Sequence, residues 1–255
     1  MNRPDDPLAM QLHEGSFYGG KALVVLGGDS GKDWRKLRDE IQPDVILGAN
    51  GTCIEIKCLD YHLIAENMTR AYKLASQGDR RQEGFMKIIT TPHEAGVRLL
   101  SHRSWNLRHL MNQSDNCISI RRWQWNGESL PESFSFRHYG EGFLTGWISR
   151  HPETWAPSVK VRVGTVAVQL LHMAGILGCS EVHTIGYDLC SKRPNADHWY
   201  GGYPKYQADR FRTQHFWIET AEFLDTIWCF FERDKLKWID HSNGLLKAMG
   251  LWSAA

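Results

Sequence analysis

The chain has 255 residues, and Lys+Arg 30 against Asp+Glu 29 leaves a formal charge of +1, which excludes a strongly basic nucleic-acid binder and an acidic tail. Hydrophobic residues at 42% and charged residues at 23% are globular values and exclude general disorder. No apolar run reaches the ~20 residues of a membrane span, and the acids of MNRPDDPLAM stand where a signal peptide is basic and then apolar.

Residues 1–20 read as a flexible lead-in, and 21–255 as a single domain. KALVVLGG predicts a strand ended by glycines. DWRKLRDEI predicts a helix with Trp34, Leu37 and Ile41 on one face, Asp33 as its N-cap and Pro43 as its stop. DVILGAN and DYHLIAEN predict the second and third strands, and MTRAYKLASQ a helix between them and a fourth strand, FMKIITT. PHEAGVRLL reads as a helix opened by Pro92. Strand and helix alternating at this spacing are the signature of parallel βαβ units.

The rhythm breaks over about 102–160, which reads as an irregular insertion of strands and loops over one end of the sheet, on the acceptor side. It returns with VGTVAVQLLHMAGILG, apolar on every face and so a buried helix stopped by Gly178. SEVHTIGYDL is the next strand, and about 190–207 a polar loop or lid rich in glycine and tyrosine. A long helical stretch through CFFERD, a last strand LKWID and a terminal HSNGLLKAMGL complete the chain. The expected fold is α/β, a Rossmann-like, mostly parallel sheet with helices on both faces and a lid.

Four segments carry groups suited to chemistry. Gly27-Gly28-Asp29-Ser30-Gly31-Lys32 follows the first strand, where glycines let a backbone approach a phosphate; it is neither GxGxxG nor a P-loop. Asn50, after the second strand, offers a donor and an acceptor to a base or sugar hydroxyl, or else makes an Asn-Gly turn. Arg162, Gly164 and Thr165 open the buried helix as an anion site, or as a cap with a solvated arginine. Gly186-Tyr187-Asp188 closes a strand, and Asp197-His198-Trp199-Tyr200-Gly201-Gly202-Tyr203 follows it; a strand-end carboxylate and a loop histidine suit acid/base work. Asp188, Asp197 and His198 are possible ligands of a divalent metal, but no spacing rule supports one, so no metal site is assigned. Six cysteines without a CxxC pair read as reduced thiols of a cytoplasmic protein, and eleven tryptophans as packing.

LVVLGGDSGKDWRKL, VILGAN, RVGTVAVQLLHMAGILGCSEVHTIGYDL, DHWYGGY and DHSNGLL together resemble the bacterial sialyltransferases of glycosyltransferase family 42. They are also similar to a related family that includes archaeal 6-hydroxymethylpterin pyrophosphokinase and flagellin-modifying glycosyltransferase domains. The resemblance covers roughly 21–60 and 160–250. It implies a CMP-sugar donor on the sheet's carboxyl edge, a small-molecule or glycan acceptor, and no nucleic acid. Oligomerisation is compatible with it. By that resemblance Asn50 matches the family's nucleotide-contacting asparagine, and Gly164 and Thr165 fall at its helix-opening small and hydroxyl residues near the donor phosphate and ribose. Gly186 and Asp188 match the family's Gly-x-Asp, and His198 its base on the acceptor hydroxyl, while Asn243 falls near a late Asn-Ser pair. Tyr203 would donate to the leaving phosphate.

Three departures stand out: Asp29 sits in the first turn, Cys190 replaces an aromatic, and His198 follows Asp188 closely, as in the pyrophosphokinase-type branch. Two alternatives therefore accompany the sugar transferase, which needs no cofactor. One is an ATP-dependent diphosphotransferase, with Mg2+ on Asp29, Asp188 or Asp197. The other is a non-catalytic nucleotide-binding domain.

Overall fold

The computed structural model describes residues 14–64, 98–101, 117–119, 122–125, 132–140, 143–150, 160–162, 166–188, 199 and 227–244. Among the described residues the main sheet has seven strands: β1 (Lys21–Val25), β2 (Val45–Ala49), β3 (Tyr61–Ile64), β4 (Arg98–Ser101), β5 (Cys117–Ser119), β9 (Glu181–Ile185) and β10 (Lys237–Asp240). The spatial order is β10-β9-β1-β2-β3-β4-β5, and every pairing is parallel. From β1 the chain builds outward through β2 to β5, and later fills the other side of β1 with β9 and β10. The strand order thus reverses between β1 and β9, as in doubly wound α/β folds.

Two faces cover this sheet. Ala22, Val24 and Leu26 point into a core with Leu47, Val182 and Trp238, closed by α2 (Val166–Ile176) and by α3, residues 227–233. Leu23, Val25 and Ile46 have the opposite parity and face α1 (Trp34–Ile41), whose Trp34 and Leu37 are buried. Every residue of α2 from Ala167 to Ile176 is buried, because a smaller sheet covers its outer side. That sheet is β6 (Arg122–Trp125), β7 (Phe143–Arg150) and β8 (Lys160–Arg162), with β6 and β7 parallel and β7 and β8 antiparallel.

Several expectations change. Residues 98–101 are not helical: they form β4, paired with β3 from Tyr61↔Arg98 and with β5 from Leu99↔Cys117. A short apolar run suits either state, and the neighbouring strands decide it. Asp33 occupies the N-cap position of α1 but makes no side-chain cap bond. Residues 14–20 are not a loose lead-in, since the N–H groups of Gly15, Phe17 and Gly19 donate to the carbonyls of Ile176, Leu177 and Gly178. They satisfy the orphan carbonyls at the end of α2. Within 102–160, β5 belongs to the main sheet. Residues 132–137 lie at the amino edge, the far side from the strand ends that carry the predicted site. There Arg137 donates to the carbonyls of Gly175, Cys179, Asp234 and Lys235, at the ends of α2 and α3. The predicted elements MTRAYKLASQ and FMKIITT lie outside the described residues. Among the described residues no helix is long and apolar enough to cross a membrane.

Candidate functional site at the strand-order reversal

The register Val25↔Gly48 and Val25↔Ile185 brings the carboxyl ends of β1, β2 and β9 to one edge. Leu26–Gly31, Asn50 and Gly186–Asp188 therefore leave the sheet side by side. Three of the four segments expected to carry chemistry meet there. The fourth, Gly164 and Thr165, lies outside the described residues, between Arg162 at the end of β8 and Val166 at the start of α2. The end of α2 leads through a short turn into the start of β9. An 11-residue helix runs about 16 Å, enough to bring its N-terminus back to the carboxyl edge.

The first turn, a 3-10 turn over Asp29–Asp33, is closed on Asp188. Ser30 N donates to Asp188 Oδ2 at 3.0 Å, and Ser30 Oγ donates to Oδ1 at 2.5 Å. Gly186 N in turn donates to Ser30 Oγ at 3.0 Å, and Gly28 N to Gly186 O at 2.8 Å. The turn is thus not an open cradle for phosphate: its amides at Gly28 and Ser30 are already committed to the β9 end. The glycines serve this closeness. A Cβ on Gly28 would lie 2.5 Å from Asp188 Oδ2. Gly186 adopts φ +80°, a left-handed conformation that favours glycine. Asp29 and Lys32 pair at 3.3 Å on the exposed rim.

Asp188 is 5% exposed and also accepts from Asn243 N at 3.3 Å. The 240–243 segment continues the network. Tyr187 N donates to Ser242 Oγ at 2.8 Å, and Ser242 donates in turn to Asp240. Thr184 Oγ1 donates to Asp240 Oδ1 at 2.6 Å and accepts from Trp238 Nε1 at 2.9 Å. Burial pushes the Asp240 carboxyl up to about 6; bonds from Thr184 and Ser242 oppose this, and the charge of Asp188 adds to it.

Asn50 has φ +47° and opens a 3-10 turn. Its carbonyl lies 2.5 Å from Nε2 of the fully buried His62, which fixes the turn. Trp199 reaches the site from the polar loop. Its Nε1 donates to Leu26 O at 2.7 Å, and its indole packs where a Cβ on Gly31 would stand. His198, Asp197 and Tyr203 lie outside the described residues.

Asn243, Gly186 and Asp188 were legible as a late pair and a strand end; the parts played by Asp240, Thr184 and Trp199 were not. For Asp240 the signal was present in DHSN, which begins on the last residue of a strand and places it on the same edge as Gly-Tyr-Asp. The thiols of Cys53 and Cys179 are buried, and burial pushes each up to about 12, so both stay protonated. Among the described residues no three His, Cys, Asp or Glu side chains gather as metal ligands would. No family model, curated protein or solved structure matches this chain.

Proposed function

We propose that the chain is a transferase that binds a nucleotide-activated sugar, CMP-linked, at the strand-order reversal and passes the sugar to an acceptor hydroxyl. One observation carries this reading: the first turn, Asn50 and Gly186–Asp188 share the carboxyl edge where the strand order reverses, which is where doubly wound sheets bind nucleotides. The resemblance to the sialyltransferases supplies the donor class.

In this reading Asn50 and the rim of the first turn, Gly27 to Ser30, face base and ribose. Arg162, at the end of β8, together with Gly164 and Thr165 between it and α2 in the chain, binds phosphate. His198 takes the acceptor proton, and Tyr203 donates to the leaving phosphate. The docking of Trp199 on the first turn supports the role of His198, its neighbour in the chain. Asp188, buried with both oxygens accepting hydrogen bonds, holds the site in place rather than handling the proton. A CMP phosphate leaves without metal help if donors stabilise its charge.

Thermal unfolding with CMP, UDP, GDP and ATP, each with and without Mg2+, tests the reading, because a ligand that binds the native state raises the midpoint. A shift with CMP independent of Mg2+ supports it. A shift only with ATP and Mg2+ would replace it with diphosphate transfer. No shift with any of them would remove it. His198→Ala should lower CMP release from a CMP-sugar by about 10²–10⁴-fold and leave CMP affinity unchanged.

A further inference from the structure

A second polar cluster lies on the α1 face of the sheet, outside the site just described. The register sets Leu23, His183 and Ile239 side by side on that face, and His241 follows two residues after Ile239. His183 is buried. Its Nδ1 lies 2.9 Å from His241 Nε2, and its Nε2 lies 3.3 Å from Glu181 Oε2. The ring centroids are 5.2 Å apart and the planes differ by 22°. The centroid separation exceeds the N···N distance by about one ring width, so the rings meet edge to edge. Each inner nitrogen points at the other, which is the geometry of a hydrogen bond. Nitrogens this close and in line leave no place between them for a metal ion at ~2.0 Å from each.

The proton order follows from the inventory of donors. A carboxylate only accepts, so His183 Nε2 carries a hydrogen, His183 Nδ1 accepts, and His241 Nε2 donates. One added proton on His241 Nδ1 leaves this chain intact. A second must go to His183 Nδ1, where it sets N–H against N–H and cation against cation.

We propose that Glu181, His183 and His241 form a proton-operated latch that holds residues 241–243 against the strand-order reversal, and that double protonation of the pair releases it. The path from latch to site is short. His241 N donates to Thr184 O at 2.8 Å, Ser242 Oγ accepts from Tyr187 N at 2.8 Å, and Asn243 N donates to Asp188 Oδ1 at 3.3 Å. Losing the imidazole pair leaves His241, the residue before the two that tie down Tyr187 and Asp188, held by its backbone bond to Thr184 alone of these two ties. The proposal does not depend on what the site binds.

The sign of the pH response follows from the groups that face the pair. Burial holds both imidazoles below the ordinary histidine range. Lys21 of β1 and Lys237 of β10 push His183 the same way, and the two imidazoles oppose each other's charge; Glu181, and Glu40 of α1, act against this. The released segment therefore binds protons more readily than the latched one. The latch is closed at neutral pH and opens as pH falls below about 6.5. Each proton taken up on opening raises the opening constant by up to about tenfold per pH unit.

Amide hydrogen exchange of the full chain between pH 7.5 and 5, corrected for intrinsic rates, tests the latch. The expected result is falling protection at Tyr187, Ser242 and Asn243, by up to about tenfold per pH unit per proton, while Val24 and Leu47 stay protected. Imidazole 15N shifts should show His183 and His241 titrating as a coupled pair. In His241→Gln, which keeps an amide donor without titrating in this range, the response at Tyr187 and Asn243 should flatten. Protection at Tyr187 and Asn243 that does not change with pH overturns the proposal. So does loss shared equally by Val24 and Leu47, or independent single titrations near 6.5. If His241→Gln does not fold, the measurements on the parent chain decide alone.

Discussion

Ser30 shows how a single hydroxyl can tie two distant parts of the chain. It donates to Asp188, accepts from Gly186 N, and so locks the turn after β1 to the end of β9. Ser30→Ala leaves the Gly186 amide and one carboxylate oxygen short of a partner. The expected cost is about 1–3 kcal/mol of stability, read as a lower urea midpoint at unchanged m-value. His172 answers to pH. Its Nδ1 accepts from Leu144 N at 3.1 Å and its Nε2 donates to His138 O at 2.8 Å, so it is the neutral Nε2–H form. Burial pushes it down to about 4. An unfolded histidine titrates near ~6.5, so this group's contribution is complete above that pH and is lost as pH falls toward 4. Asp240 has the opposite sign: burial raises it to about 6, so its contribution is present at low pH and lost as pH rises through 6. Comparing parent with His172→Gln removes such shared terms. The variant should be the less stable at pH 7, and the gap should narrow by roughly 3 kcal/mol by pH 4.

α2 depends on its ends more than on its middle. Gly178 closes it at φ +91°, the amides of residues 15–19 reach its last carbonyls, and Arg137 reaches Gly175 and Cys179. Gly178→Ala must hold a side chain in the left-handed region and should cost about 1–2 kcal/mol. Arg137→Met keeps much of the apolar stem but removes the guanidinium from four carbonyls at the ends of α2 and α3, of which Gly175 keeps the Gly178 amide. Its expected cost is about 2–4 kcal/mol, and calorimetric unfolding of both variants checks the pair. The apolar runs of β1, β2, β9 and β10, the one-sided face of α1 and the all-round burial of α2 were legible in the sequence, because burial writes itself as periodicity. β4 was not, since Arg98–Ser101 is too short to show a period and takes its state from β3 and β5. Nor was the clamp by Arg137, which acts across 38 to 98 residues of chain with no local pattern. At the site the strand-end turns were legible as turns. Their closure on Asp188 was not, because Ser30 and Asp188 stand 158 residues apart.

At the scale of the molecule, the order β10-β9-β1-β2-β3-β4-β5 puts the reversal beside β1 and gathers at one edge three of the segments that carry suitable groups. α2, packed between the main sheet and β7, runs toward the same edge with its N-terminus. The central claim is that a nucleotide-activated donor binds there. The most direct measurement is amide hydrogen exchange of the full chain with and without saturating CMP at neutral pH. The account predicts added protection at residues 27–31, at Asn50 and at 186–188, with β5 and residues 132–140 unchanged. Protection confined to the amino edge, around residues 132–140 and 175–180, would contradict it, as would no change anywhere at a CMP concentration that shifts the thermal midpoint.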